Sequence, residues 1–409
     1  MTQMHIGVPR EVVPGETRVA LTPNEVRSLT AEGHQIVVEH GAGDRAGHPD
    51  NEYLDAGALS GDRANAFNAD IVLQVHLAGA GNRAFDSDFD FDQDLKRTRR
   101  SAVLVGLANP LSHPEPVRRL AEHGVTTFSL DLLPRITRAQ AMDVLSSQSS
   151  IAGYRAALIA AERVDKLLPM MTTAAGSIAP ARVLVLGAGV AGLQSIATAR
   201  RLGAVVHAYD IRAAAREQVE SVGGIFVDLP LDTSTAEGSG GYAQAQQEEF
   251  YARQREVLGN EVAAADVVIA TAQVPGRPAP VLITEDMVRA MRPGSVLVDA
   301  AAAQGGNCAL SVADETIERF GVSIIAPTNL PAGAAAHASR LYARNIANFT
   351  RHLLGDDGPR LTVDDPIIRD TLLTRDGQVV HAGLRTLLGV DVPDAPATGA
   401  LHTVTAERN

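Results

Sequence analysis

The sequence predicts an α/β protein of two doubly wound, parallel-sheet lobes joined by long helices, the first lobe being discontinuous. Three features lead there. From residue 4, short β-branched runs alternate with segments of helical periodicity, the pattern of parallel strands joined by crossover helices. A second unit with the same alternation starts at about residue 181. Two amphipathic segments, 149–168 and 339–354, are placed to run between the units. The expected division assigns residues 1–147 and 330–409 to the first lobe and 148–329 to the second.

Taken in order, HIGV (5–8) is the first strand. Thr22-Pro23-Asn24-Glu25 predicts a helix opened by a capping box with proline in its first turn, and Gly33 closes it. QIVVE (35–39), DIVLQV (70–75), AVLVGL (102–107) and TTFSL (126–130) follow as strands, each separated by enough chain for a crossover. FDSDFDFDQD (85–94) alternates Asp with Phe and is expected to be a solvated acidic rim, not a metal site. In 149–168 a stripe of Ile151, Tyr154, Leu158, Ala161, Val164 and Leu168 predicts the helix that links the lobes. GSIAP (176–180) breaks the chain before the next strand. In 339–354, Leu341, Tyr342, Ile346, Phe349 and Leu353 share a face, expected to return to the first lobe.

The composition narrows the function classes. With 45% hydrophobic and 21% charged residues, the 409-residue chain is globular and long enough for two or three domains. A net charge of −12 argues against nucleic acid or an anionic membrane surface as the main partner, because phosphate binding needs clustered Lys and Arg. The single cysteine, Cys308, excludes an internal disulfide and suits a reducing cytoplasm; beside Gly305, Gly306 and Asn307 it reads as a small buried filler. The N-terminus reads as a strand and not as a signal peptide. No run of about 18 apolar residues is present, so the chain is not expected to span a bilayer, although docking onto a membrane protein stays open.

ARVLVLGAGVAGLQSIATARRLGAVVHAYDIR (181–212) carries the strongest local signal. A β-branched strand feeds Gly187, Gly189 and Gly192, a helix follows to Arg201, Gly203 ends it, and a second strand finishes at Asp210. That is the Rossmann dinucleotide fingerprint in its required context. Gly187 permits the tight turn, Gly189 lets backbone approach a pyrophosphate at the helix N-terminus, and Gly192 allows close helix–strand contact. Asp210 is positioned to accept hydrogen bonds from the adenosine ribose and to repel a 2′-phosphate, which favours NAD(H) over NADP(H). Arg212, two residues on, is the one neighbour that weakens this preference.

RITRAQAMDVLSSQ (135–148) concentrates Arg135, Arg138, Gln140, Asp143, Ser146 and Gln148 among few apolar residues. Such a density of hydrogen-bonding groups suits a loop that orients a ligand. Structural alternatives stand beside this: an Arg135–Asp143 ion pair, or Ser146 and Ser147 as caps of the linking helix.

These stretches, with RVALTP (18–23), GGYA (240–243), PGRPAPVLIT (275–284) and AQGGNC (303–308), resemble the alanine dehydrogenase and pyridine nucleotide transhydrogenase family from about residue 5 to at least 370. Within it the resemblance is greatest to the soluble NAD(H)-binding component of the proton-translocating NAD(P) transhydrogenases. It implies a component that passes hydride between its own NAD(H) and NADP(H) held on a partner subunit. It also implies a homodimer in the cytoplasm, peripheral to the membrane through membrane-embedded partner subunits. Arg135, Gln140, Asp143 and Ser146 would form the nicotinamide-proximal loop, with Tyr154 following on the linking helix. Gly187, Gly189, Val190, Gly192, Asp210, Ile211 and Arg212 would hold pyrophosphate and ribose. Ala272 would add to the cofactor site. Tyr242 would sit in a mobile loop closing over the nucleotide, or be only a surface aromatic.

The departures carry chemistry. Alanine dehydrogenases bind and protonate a keto acid with a Lys and a His, and the matching positions here are His76 and Gly106. Arg18, which meets a substrate carboxylate in those enzymes, is retained and expected to serve structure; His76 is expected to be a satisfied lobe-interface histidine. The acidic residue that the family carries before QGGNC is Ala303. Hydride transfer between two nicotinamides moves no proton, so it needs orientation and exclusion of water and not a general acid. An amino-acid dehydrogenase recruiting His76, or a sensing subunit that binds NAD(H) without turnover, are the competing readings.

Overall fold

The computed structural model describes residues 2–77, 91–228, 248–274, 276–355 and 358–390. Two sheets organise them. In the first, the strands lie in the order Gln378–Val379, Leu372–Arg375, Thr126–Ser129, Val103–Leu107, Ile71–His76, His5–Val8, Gln35–Glu39, Leu59–Gly61. The six strands from the N-terminal half are parallel, and the two late strands add an antiparallel edge. The first lobe is therefore discontinuous. Its parallel part runs outward from His5–Val8 in both directions, the doubly wound order.

The second sheet repeats the plan with Ile225–Phe226, Val205–Tyr209, Arg182–Leu186, Val267–Ala270, Val296–Asp299, Val322–Ile325 and Thr316–Arg319. Thr316–Arg319 alone pairs antiparallel, at the edge. Both sheets thus depart from wholly parallel order only at their rims, where a hairpin closes the winding. Buried runs such as VLVL in Val183–Leu186 and VVIA in Val267–Ala270 have no polar face because helices cover both sides.

The second crossover helix, Ala335–Leu353, buries Tyr342, Ile346, Phe349 and Leu353 against the first sheet, the face expected from the sequence; Leu341 is only half-buried. The Phe128 and Phe349 rings meet edge to face at 5.6 Å, and the Tyr342 hydroxyl donates to the Gln74 carbonyl at 2.7 Å.

The linking helix differs from expectation. It spans Val144–Arg163, ending before Leu168, and its buried residues include Gly153, Ala156, Ala157 and Ala160, while Tyr154 is exposed. Small residues face inward because this helix lies tight against the second-lobe helix Val190–Arg201. A Cβ on Gly153 would stand 2.0 Å from the Ala191 carbonyl oxygen. The residues after it form an exposed hairpin, Met171–Thr173 with Gly176–Ile178, where a simple chain break was expected.

The helix Pro23–Ala31 starts at Thr22 without the expected capping box. The Thr22 hydroxyl donates to the Glu25 carboxylate, a stronger acceptor within reach, and caps no backbone N–H. FDSDFDFDQD divides: Phe91–Arg97 is helical, with Asp94 buried between Arg63 and Arg97, and residues 85–90 lie outside the described residues.

Candidate functional site: a dinucleotide cradle between the lobes

A cleft of about 650 Å³ opens at the C-terminal end of the second sheet, between Arg182–Leu186 and Val267–Ala270, where the winding reverses. Ligands of open α/β sheets bind at such a switch point. The cradle is built by glycine. Gly187 has φ +94°, a left-handed turn that a side chain would strain, and an added Cβ would sit 2.9 Å from the Ala272 nitrogen. A Cβ on Gly192 would lie 1.8 Å from the Gly187 carbonyl oxygen, so only glycine lets the helix approach the turn. Gly189 caps the helix Val190–Arg201 and would place a Cβ in open space, so backbone is exposed to whatever fills the cleft. An exposed helix N-terminus of this kind suits a pyrophosphate.

Asp210 closes the adenosine end and is 8% exposed. Its carboxylate accepts from the Ala188 N–H at 2.7 Å and from Arg212 three times: the backbone N–H at 2.8 Å, Nε at 2.9 Å and Nη2 at 2.9 Å. Ile211 and Val190 also line the cleft. Nearby, Gln254 is 2% exposed; its Nε2 donates to the Tyr209 hydroxyl at 2.8 Å while its Oε1 has no hydrogen-bond partner among the described residues. Burial pushes the Tyr209 phenol up to about 12 despite that bond, so it stays protonated.

On the opposite side Ala272 is gripped by Asn307. Asn307 Oδ1 accepts from the Ala272 N–H at 3.0 Å, and Nδ2 donates to the Ala272 and Pro280 carbonyls at 2.9 and 2.8 Å. Asn307 is itself fixed by Asp299, whose Oδ2 takes the Asn307 and Cys308 N–H groups and the Ser311 hydroxyl. Cys308 is buried, which pushes its thiol up and leaves it a packing residue.

The first lobe supplies the facing wall. Arg135 and Ser146 line the cleft together with Asn109 and Asp131. Asp131 holds the turn at Asn109 by accepting the Ala108 and Asn109 N–H groups at 2.6 and 2.8 Å. Asp143 caps the linking helix, accepting the Ser146 N–H at 2.9 Å and its hydroxyl at 2.5 Å. Gln140 is exposed, and it, Asp143 and Tyr154 stand outside the cleft lining. Tyr242 falls outside the described residues.

Four residues here carry no motif that marks them in the sequence: Asp131, Gln254, Thr271 and Asn307. Only AQGGNC flagged Asn307, through its family resemblance; the others occupy unremarkable positions on a loop, a helix and a strand end.

The equivalent switch point of the first sheet, between His5–Val8 and Ile71–His76, is filled by the chain itself. Buried Glu16 receives Arg18 through Nε at 2.8 Å and Nη2 at 2.6 Å, and its Oε2 lies 2.8 Å from His76 Nε2. Arg18 Nη1 also donates to Gln148 Oε1 on the linking helix at 2.9 Å. Buried Glu11 accepts the Val75 N–H at 2.5 Å. Burial would raise the Glu16 carboxyl, but Arg18 and then His76 outweigh it and hold Glu16 below the usual range.

Comparisons with known proteins agree with this architecture. Residues 7–152 match the family model for the alanine dehydrogenase/PNT N-terminal domain, and residues 156–382 match its C-terminal domain. The chain is 44% identical over 386 residues to the first of the separate polypeptides of NAD(P) transhydrogenase subunit alpha from Rhodospirillum rubrum, covering 93% of this chain and 99% of that protein. To the protein of the same name from Rickettsia prowazekii it is 40% identical, covering 93% and 97%. It superposes on the crystal structure of transhydrogenase from Sinorhizobium meliloti with a TM-score of 0.81 at 41% identity, covering 92% of this chain and all of that one. The chain belongs to the alanine dehydrogenase/PNT family.

Proposed function

We propose that this chain is the NAD(H)-binding component of a proton-translocating NAD(P) transhydrogenase, passing hydride directly between its own NAD(H) and NADP(H) held by a partner subunit. One observation carries the reading. The cleft combines a complete dinucleotide cradle with hydrogen-bonding groups on its facing wall, yet among the described residues its lining holds no lysine or histidine. Reduction of a carbonyl needs a proton donor there, and hydride exchange between two nicotinamides does not.

Bound NADH supplies the hydride from C4 of its dihydronicotinamide ring. The chain supplies placement. Gly187, Gly189 and Gly192 with the N-terminus at Val190 take the pyrophosphate, and Asp210 takes the ribose. Ala272 and its loop form one wall of the ring pocket; Arg135 and Ser146 hold the ring from the other lobe, with Asp143 fixing the Ser146 hydroxyl. Gln140, exposed on the rim, bridges toward the partner's nucleotide. Excluding water around the two rings falls to the lobes and the docked partner.

The partner assignment is supported by the names of the relatives, and no described helix is long and apolar enough to cross a membrane, so membrane attachment falls to other subunits. A homodimer is supported by the projecting hairpin, where Met170, Met171 and Ile178 are 68%, 42% and 47% exposed.

The deciding experiment mixes the chain with an NADP(H)-binding transhydrogenase component and follows hydride transfer from NADH to an NADP analogue. Transfer is expected; its absence, with NADH bound, returns the chain to a binding subunit. Gln140→Asn should slow transfer and leave NADH affinity nearly unchanged. NADH oxidation with pyruvate and ammonia should be essentially nil, and turnover there would make it an amino-acid dehydrogenase. The Arg18–Glu16 pair argues against that outcome, because the guanidinium already has a carboxylate.

A further inference from the structure

We propose that Arg212 is a latent 2′-phosphate-binding group, and that Asp210 sets the preference for NAD(H) over NADP(H) partly by holding that guanidinium. The inference rests on the cleft being the NAD(H) site and adds to it a residue that decides nucleotide specificity.

A lone carboxylate at the end of the second strand would exclude a 2′-phosphate by repulsion. Asp210 is not alone. The Arg212 guanidinium grips it at both oxygens, Nε on Oδ1 and Nη2 on Oδ2, each at 2.9 Å. The two side chains are only 15% and 6% exposed, so the pair is well shielded from screening by solvent. The pair sums to nearly zero charge at the very place where the ribose 2′ position belongs. Charge repulsion by Asp210 is therefore largely cancelled, and discrimination must come from the direction in which the guanidinium is held.

Guanidinium binds phosphate as readily as carboxylate, through the same two-pronged geometry. Both Asp210 and Arg212 line the cleft. While Asp210 occupies the prongs, a 2′-phosphate must compete with a fixed internal carboxylate that also caps the Ala188 N–H at 2.7 Å. Removing the carboxylate leaves an uncompensated cation beside the 2′ position, and the site becomes a phosphate acceptor without any new residue.

The test is a set of fluorescence titrations with NADH and NADPH on the full chain and its variants. Wild type should bind NADH more tightly than NADPH; if it binds no NADH, the reading of the cleft fails and this inference falls with it. Asp210→Asn should tighten NADPH binding about tenfold or more and weaken NADH binding. Adding Arg212→Ala to that variant should abolish the NADPH gain. Arg212→Ala alone unmasks the carboxylate and should widen the NADPH-to-NADH Kd ratio. If Asp210→Asn binds NADPH no better than wild type, or the double variant keeps the gain, Arg212 is not the acceptor. Should Asp210→Asn lose the native melting transition, Arg212→Ala decides alone: an unchanged or narrower ratio overturns the proposal.

Discussion

Asn307 pairs with Ala272 as a second backbone would, its amide oxygen taking the Ala272 N–H at 3.0 Å and its amide nitrogen donating to the Ala272 carbonyl at 2.9 Å. The same nitrogen reaches Pro280, so a single fully buried side chain ties both ends of the loop that walls the cleft. A carboxamide is the one side chain that can donate and accept in this arrangement.

Asn307→Asp keeps the size and replaces the donor with an acceptor facing two carbonyls. Loss of a buried hydrogen-bond partner costs roughly 1–3 kcal/mol, and the loop bears it. The expected outcome is a KM for NADH raised about tenfold or more, with a smaller fall in kcat. A fall in kcat at unchanged KM would place the effect on the partner-facing side and remove Asn307 from cofactor positioning.

Gly189 and Gly192 separate binding from folding. A methyl on Gly189 meets nothing within 4 Å and needs no unusual backbone, since its φ is −74°. Gly189→Ala should melt like wild type while losing NADH affinity about tenfold or more, because the methyl enters the pyrophosphate space. Gly192→Ala drives a methyl to 1.8 Å from the Gly187 oxygen and should destabilise the chain by about 1–3 kcal/mol or more. Calorimetry beside NADH titration distinguishes the two; equal losses in both assays would contradict the separation.

What the sequence made legible was local. Gly187 through Asp210 is one strand, turn, helix and strand, so its spacing reports its geometry directly. The face of Tyr342, Ile346, Phe349 and Leu353 was legible because large apolar residues at helical spacing face a sheet. The linking helix misled for the opposite reason. Its inward side is made of Gly153 and alanines, which carry little hydrophobic signal, while Tyr154 carries much and is exposed. What decides that helix is how closely it approaches Ala191, a three-dimensional fact. The same holds for Asn307 with Ala272 and for Gln254 with Tyr209, pairs 35 and 45 residues apart in the chain.

The packing of the linking helix gives a further test. Gly153→Ala would put a methyl 2.0 Å from the Ala191 carbonyl oxygen, in the first turn of the nucleotide-binding helix. The two helices must separate, at a cost of about 1–3 kcal/mol. The melting temperature should fall, and NADH affinity with it, because the helix start that faces the pyrophosphate moves. A variant that loses stability with unaltered affinity would show that the cradle is set by the sheet alone.

The filled switch point of the first lobe predicts a pH dependence. Burial raises the Glu11 carboxyl from 4.5 to about 7, although nearby His76 and the Val75 and His76 N–H groups pull it back. An acid whose pKa is higher in the folded state binds its proton more tightly there. Its stabilising contribution is fully present below 4.5 and is lost as pH rises through about 7. Glu16 has the reverse sign: held low by Arg18 and His76, it stabilises the fold at all pH values above the ordinary carboxylate range and fails only in acid. Between pH 5 and 8 the slope is therefore contributed by Glu11 and not by Glu16. Glu11→Gln cannot ionise, and it keeps an oxygen for the Val75 N–H. Relative to wild type it should gain up to about 3 kcal/mol between pH 5 and pH 8. Melting curves of the two proteins across that range supply the measurement. A constant difference between them would mean that Glu11 is already ionised in the folded chain at pH 5, with His76 and the backbone N–H groups offsetting its burial.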